Sequence, residues 1–443
     1  MVLITLKNDF GKSLAAGFKE AAAQFNVEIV NEYEYSIKDR QFGSIIAKVK
    51  SDNPEAIYAT GYFFTAGPLV SQIRAAGISV PVIGQEGYDS ELGWVRKPNT
   101  TKKEKNKFSF SEWSINSKGC RTNPGFEDKS SLISCYGDSF TFCRQVNDNE
   151  TWEHFLSKLT KSNIHNFGVG NYGVDQSILR LEREYSKNPT DIVILAVVPD
   201  TICRIMSLWK HYYEYGNTFA FKPKFKLENG KLILLPNKID DPKKFNNVKN
   251  YLQEIKKEDY FYKLKFSKEI IKFPYVLTLL KNLKRNFSII YWVLLIQFKK
   301  NQNQEISHIE WNPMKLVMDI NLNWRISLYK NKDSLNLFYS ILEEYVKFSI
   351  KEKFIPIFVL IPQKDDLIFI KNNSNFFEDF SNNMKKIQNL HVIDILNPLL
   401  HEENIDELFS DDNEYGGHPN KKGNKLISKI IQDYIVNQNL IKN

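Results

Sequence analysis

Strand-like and helix-like runs alternate twice along this chain, and that alternation restricts the fold more than any other property of the sequence. Residues 1–88 run as VLITL, a helical stretch from about Lys12 to Phe25, VEIVNEYEY, a second helix from Phe42 to Lys50, AIYATGY, a third from Gly67 to Ala76, and PVIGQEG. A βαβαβα order calls for parallel strands joined by right-handed crossovers. Between Gly11 and Ala23 the apolar positions Leu14, Phe18 and Ala22 recur at the spacing of a helix with one buried stripe.

From Asp89 to Ser131 the pattern lapses into a loop-rich stretch centred on KPNTTKKEKNK, the composition of a solvated connection. A second series follows: LISCYGDSF as strand and turn, a helix from Thr151 to Leu159, NIHNFGVGNYG, a helix from Asp175 to Tyr185, and DIVILAVVPD. Residues 205–334 are Lys-rich and aromatic without strand alternation, as expected of a largely helical insertion. The core then resumes with a helix from Leu335 to Lys351, IPIFVLIPQ, a helix near Phe376 to Ile387, LHVIDIL, the loop around SDDNEYGGHPN, and a last helix from Lys422 to Ile435. The expected fold class is α/β, as two α/β/α units with parallel sheets. Its boundaries are 1–88, a linker and lead-in at 89–130, and 131–443 with the insertion at about 205–334.

At 443 residues the chain is long enough for two or three cores, and 42% hydrophobic with 25% charged residues is the composition of a globular protein. Residues 1–88 carry net charge −1 and the remainder +9, as two segments of different origin would. Only ten of the 60 basic residues are Arg, and no compact basic stripe or aromatic-basic motif appears, which argues against nucleic acid as a partner. Cys120, Cys135, Cys143 and Cys203 are too few for a disulfide scaffold, and no His/Cys spacing suggests a metal. No cofactor is expected. The start, Val-Leu-Ile-Thr-Leu then Lys7, lacks the basic-apolar-small order of a signal peptide, so the chain as written is expected in the cytoplasm. The longest apolar run, Phe287 to Phe298, is too short to be a transmembrane segment.

Three loops carry residues suited to chemistry, each after a strand, where open parallel sheets bind ligands. Gly137-Asp138-Ser139-Phe140 places a hydroxyl on a strand-to-helix turn, a position that favours a nucleophile whose attack creates an oxyanion. Gly-Asp-Ser is also an ordinary turn composition. Asn166-Phe167-Gly168-Val169-Gly170-Asn171-Tyr172-Gly173 lets backbone amides approach a substrate, and equally reads as a glycine-rich turn. Gly416-Gly417-His418-Pro419-Asn420 ends the last core strand's loop, where His418 could take the proton of Ser139.

Taken together, GDSF, NFGVGNYG, a strand, and GGHPNKKGN before a C-terminal helix resemble the SGNH (GDSL) hydrolase family over roughly residues 90–443. The resemblance implies a flavodoxin-like three-layer fold and hydrolysis or transfer of an ester-linked acyl group, acetyl among the candidates, on a small-molecule or carbohydrate ester. It assigns Ser139 as nucleophile and oxyanion donor, His418 as base, and the backbone of Asn171 in place of the family's block II Gly, a substitution that positive φ on Asn would tolerate. Two positions depart from the family. Val197-Val198-Pro199-Asp200 replaces the block III Gly-x-Asn-Asp, leaving Asn217 or another group to supply the missing amide, and Tyr415 stands where Asp precedes His by three. Glu414, ahead of Asp412, is the acidic candidate, and both also fit a solvated loop. The aromatic cluster that includes Trp209 and Tyr213 is a candidate sugar- or acyl-binding surface, with the core of a cap as its structural reading.

Residues 1–88, through DFGKSLAAGFKEAAAQFNVEIV, IAKVKSDNPEAIYATGYFFTAGPLVSQIRAAG and PVIGQEG, are similar to the second lobe of type I periplasmic binding proteins of the leucine/isoleucine/valine class. That resemblance places Tyr62 and Glu86 where the family contacts its amino acid. It also implies that the rest of the clamshell is missing and that an amino acid binds only weakly. Three readings follow: a fused ester hydrolase or acyltransferase, a branched-chain amino-acid binding or sensing protein, and a catalytically dead SGNH scaffold.

Overall fold

The structure is a computed structural model. It describes residues 1–441 except 62, 84–99, 106–109, 216, 218–219, 242–243, 245–246, 303, 305, 307–308, 310–311 and 411–416, with the backbone alone at 9–10, 24, 63–64, 66–67, 71, 100–105 and 110. The chain divides into two compact units, Met1–Trp94 and Val95–Asn443.

In the first unit the strands β1 (Val2–Leu6), β2 (Asn31–Tyr35), β3 (Ile57–Ala59) and β4 (Val82–Ile83) form one parallel sheet in the order β2-β1-β3-β4. All five residues of β1 are buried, as a continuous apolar run in the middle of a parallel sheet must be. Asn8 starts the helix Asp9–Gln24 by accepting the Gly11 amide at 2.7 Å. Gly11 has no alternative, since a Cβ there would lie 2.2 Å from the Leu6 carbonyl oxygen. Ile46 and Val49 of the helix Gly43–Asp52 pack with Leu69, Ile73, Tyr35 and β1 in the core.

The second unit opens with an antiparallel pair, β5 (Thr100–Lys105) and β6 (Phe110–Ile115). Its main sheet comprises β7 (Ser131–Gly137), β8 (Asn163–Asn166), β9 (Ile192–Val197), then, after the insertion, β12 (Ile355–Leu360) and β13 (His391–Ile393). All pairings are parallel and the order is β13-β12-β9-β7-β8. Renumbered within the sheet this is 2-1-3-4-5, the flavodoxin-like order, whose chain reverses direction between β7 and β9. The helices Val174–Glu184 and Lys332–Glu352 pack against each other and against strands of this sheet, as do Trp152–Thr160 and Lys421–Asn437, the former lying on β8. Thr151, Asn331 and Asn420 cap three of these four helices through side-chain oxygens.

The insertion is largely helical but departs from the sequence reading at one place. A hairpin of β10 (Lys224–Glu228) and β11 (Lys231–Leu235) turns through Asn229 (φ 50°) and Gly230 (φ 73°). Asn-Gly with both residues left-handed is the two-residue turn that matches strand twist. That dipeptide was the available signal.

Candidate active site

At the strand-order reversal the ends of β7 and β9 hold the buried polar residues Asp138, Asp200 and Arg204. Ser139 follows β7 directly, at the start of the one-turn helix Ser139–Phe142, and is partly exposed between buried neighbours. Asp138 holds that turn from beneath. Fully buried, its carboxylate accepts the Phe140 amide at 2.8 Å, the Val198 amide beyond β9 at 2.8 Å, and Arg204 Nη1 at 3.1 Å. Burial pushes this carboxyl above the ordinary range, against the opposing pull of Arg204 and the two amides. Gly137 permits the approach of β7 to β9, because a Cβ there would lie 1.8 Å from the Ala196 carbonyl oxygen.

The loop after β8 is stitched to the same turn. Asn166 donates through Nδ2 to the Thr141 carbonyl at 2.7 Å and accepts the Gly168 amide at 3.0 Å, while the Val169 amide reaches the Gly137 carbonyl at 3.0 Å. Gly170 then passes within ordinary contact distance of the Ser139 Cβ, 3.9 Å from where its own Cβ would stand. Among the described residues, neither the Ser139 hydroxyl and amide nor the Gly170 amide has a hydrogen-bond partner. Asn171 has φ 66°, the left-handed conformation its residue type tolerates, and its side chain accepts from the buried Lys210.

His418 arrives from the other end of the chain. Its ring lies 5.0 Å, centroid to centroid, from that of Phe140, the residue after Ser139. Gln145 fixes it twice, its Oε1 accepting both the His418 backbone amide and Nδ1–H, each at 2.9 Å. Because an amide oxygen only accepts, Nδ1 carries the proton and Nε2 is the bare nitrogen. Gln145 itself adopts φ 75°, a conformation uncommon for a side chain without β-carbonyl chemistry. Burial, with Arg144 and Arg204 nearby, pulls the His418 pKa down to about 3.

A chain of buried charges runs beneath these groups. Arg204 bonds Asp200 through Nε at 3.0 Å and the Tyr172 carbonyl through Nη1 at 2.9 Å. Asp200 also accepts from the Tyr213 hydroxyl and faces Arg325 Nε at 3.5 Å. Burial would raise Asp200, but Arg204 and Arg325, with the Tyr213 hydroxyl, outweigh it and hold the carboxyl below its ordinary range. Arg325, on the helix Asn312–Tyr329 of the insertion, also pairs with Asp365 and Asp366 just after β12. Two guanidinium groups therefore clamp the carboxyl ends of β7, β9 and β12 together.

The structure thus brings Ser139, Gly170, Asn171 and His418 to one edge of the sheet. Tyr213 is 1% exposed, with its hydroxyl on Asp200 and its ring against Phe261; Trp209 stacks on Phe221 and remains partly exposed. Asn217 spends its amide on the Glu214 carbonyl at 3.3 Å. Asp412 and Glu414, and Tyr62 and Glu86 of the first unit, lie outside the described residues. Gln145 was not singled out in the sequence, and neither was the Arg204–Asp200–Arg325 chain. Among the described residues no group of three or more His, Cys, Asp or Glu could hold a metal, and no helix is long and apolar enough to cross a membrane.

Exchanging Gln145 for Glu places a carboxylate on Nδ1–H and favours the imidazolium. The His418 pKa should rise from about 3 toward the ordinary imidazole value. If His418 is a base, Q145E shifts the acid limb of the ester-turnover pH profile upward and raises turnover at neutral pH about tenfold. An unchanged limb would show that His418 takes no proton in turnover. The same depression has a linkage sign. Between about pH 3 and the ordinary imidazole range the unfolded chain binds the His418 proton and the folded chain does not, so His418 contributes a loss of stability as pH falls through that window.

Residues 1–100 match the periplasmic binding protein family. Similar curated proteins include a Leu/Ile/Val-binding protein homolog from Brucella melitensis, 32% identical over 88 residues, or 20% of this chain and 24% of that protein. A leucine-specific-binding protein from Salmonella typhimurium is 28% identical over 87 residues, again 20% and 24%. Among solved structures, the branched-chain amino acid transporter substrate binding protein LivJ from Streptococcus pneumoniae, in complex with isoleucine, shares 30% identity over 20% of this chain and 26% of that one, with a TM-score of 0.19. A putative lipolytic protein of the G-D-S-L family from Desulfitobacterium hafniense aligns with 69% of this chain and 99% of its own, at 13% identity and a TM-score of 0.33. Likenesses of that TM-score bear on neither architecture nor activity. The chain spans about a quarter of the length of the curated relatives it matches, and the match to the periplasmic binding protein family is confined to residues 1–100.

Proposed function

We propose that the second unit is a Ser-His enzyme that hydrolyses or transfers an ester-linked acyl group, acetyl among them, on a small-molecule or carbohydrate ester. The observation that carries this reading is the placement of His418, whose Nδ1–H is held by Gln145 and whose ring lies 5.0 Å from that of Phe140, the residue after Ser139, while the Ser139 hydroxyl has no hydrogen-bond partner among the described residues. Ser139 Oγ attacks the acyl carbonyl as its proton passes to Nε2, and the same nitrogen returns a proton to the leaving alcohol. The oxyanion is met by the amides of Ser139 and of the Gly170–Asn171 segment. Arg204 takes over from the absent block III amide, its guanidinium held at the turn by Asp138, Asp200 and the Tyr172 carbonyl. An amide orienting the histidine, as in Cys-His-Asn enzymes, leaves the imidazolium less stabilised than a carboxylate would. Water or a sugar hydroxyl can accept the acyl group in the second step. Release of nitrophenol from an acetyl aryl ester, compared with and without added sugar acceptors, tests the reading; no release and no transfer would count for a dead scaffold.

A second reading concerns the first unit and rests on its family match over residues 1–100. Binding proteins of that class enclose the amino acid between two lobes, so each lobe supplies part of the contacts and closure excludes water from them. This chain should therefore bind leucine, isoleucine or valine at millimolar affinity or weaker. Two solvated charge-assisted hydrogen bonds, at roughly 1.5–3 kcal/mol each, are set against an association cost of about 4 kcal/mol or more. Calorimetry on the intact chain measures this. Micromolar binding lost in Glu86→Ala would make the chain an amino-acid binding or sensing protein.

A further inference from the structure

The insertion carries an exposed surface unlike the rest of the chain. From Ile270 to Gln304 there is no Asp or Glu, while Lys272, Lys281, Lys284, Lys299 and Lys300 supply five positive charges, Arg285 being paired with Glu269. Within that stretch lie two helices, Tyr275–Lys281 and Leu283–Asn301. The longer one packs on the helix Asn312–Tyr329 and turns Leu283, Phe287, Ile290, Tyr291, Leu294 and Phe298 outward, all exposed. Those positions recur every three or four residues, so they form one stripe about 22 Å long at 1.5 Å per residue. The shorter helix and its approach extend the patch: Phe273 is 81% exposed, Val276 67% and Leu277 59%. Soluble surfaces rarely leave so much contiguous apolar area open unless something covers it.

We propose that this face docks on an anionic lipid bilayer, lying in the interface with its apolar stripe among the upper acyl chains and its lysines at the headgroups. Three observations select a membrane over a protein partner. The charge is of one sign along the whole segment and complements acidic headgroups. Lysines stand at both ends of the stripe, Lys281 and Lys284 at one and Lys299 and Lys300 at the other, where side chains lying flat can reach the headgroup plane. Tyr291 and Trp292 sit midway, the residue types that prefer that boundary. Since no described helix is long and apolar enough to cross, the mode is surface-bound. This inference is independent of ester chemistry.

Sedimentation of the intact chain with vesicles tests it. With equimolar phosphatidylcholine and phosphatidylglycerol most of the chain should pellet, with phosphatidylcholine alone about tenfold less, and high salt should release a large part of the bound fraction. L294E/F298E, both exposed positions, should lower partitioning about a hundredfold while leaving the melting temperature unchanged, and K281E/K284E should weaken it only for the anionic vesicles. Equal binding to neutral and anionic vesicles, or none to either, would overturn the proposal. So would a dimer in light scattering that L294E/F298E splits, because the stripe would then be covered by a second copy of the chain.

Discussion

Ser139→Ala should remove turnover of a small aryl ester, with a loss of about ten-thousand-fold or more. A serine hydroxyl is a poor nucleophile at neutral pH until a base takes its proton, and the nitrogen available for that is His418 Nε2. His418→Ala should therefore cost a similar factor, and the double variant little more than either single one, because the two groups act as a unit. Full activity in Ser139→Ala would displace the nucleophile, and a double variant far worse than both would mean that the residues act separately.

The second large effect is on stability. Arg325 is completely buried and faces Asp200, Asp365 and Asp366. Arg325→Met keeps much of the volume but strands the carboxylates of Asp365 and Asp366 in the interior, while Asp200 keeps Arg204, and removing one partner of such a set costs about 3–5 kcal/mol. The urea midpoint should fall accordingly. The loss also has a pH signature. Burial already raises Asp366 to about 7 with Arg325 present, and without it the carboxylates hold their protons more firmly in the fold than in the unfolded chain. A raised carboxyl pKa stabilises the fold below the unfolded value and withdraws that contribution as pH rises through the folded one, so the variant should be penalised more at pH 8 than at pH 5. A midpoint within experimental error of the parent would show that the interior holds enough water to solvate the acids.

The alternation of strand and helix was legible because strands such as VLITL and IVILAV are buried on both faces and so are written as unbroken apolar runs. Ser139 was legible for a related reason, since it comes just past a core strand and open parallel sheets place ligands at those ends, whereas His418 was legible from the loop just before the last helix, beyond β13 and the helix Leu396–Leu400. The oxyanion backbone was assigned to Asn171 by position in the motif, and its neighbour Gly170 also runs beside Ser139. Counting along a motif cannot see which peptide turns inward. Gln145 was out of reach because its partner lies 273 residues on and its left-handed backbone leaves no mark on a polar residue type. The charge chain was hidden for the same reason, since Arg325 comes from the insertion and meets acids that follow two different core strands. The hairpin at 224–235, by contrast, was announced by Asn229-Gly230 and obscured only by the lysines that alternate around it.

The most direct measurement on the Ser139–His418 site is mass spectrometry of the intact chain after reaction with diisopropyl fluorophosphate, a phosphorylating agent that traps serines activated by a neighbouring base. A single adduct should form at neutral pH and map to Ser139, fail to form in Ser139→Ala, form far more slowly in His418→Ala, and form faster in Q145E. No adduct on the parent chain, or an adduct on any residue other than Ser139, would contradict the proposed nucleophile and the acyl chemistry built upon it.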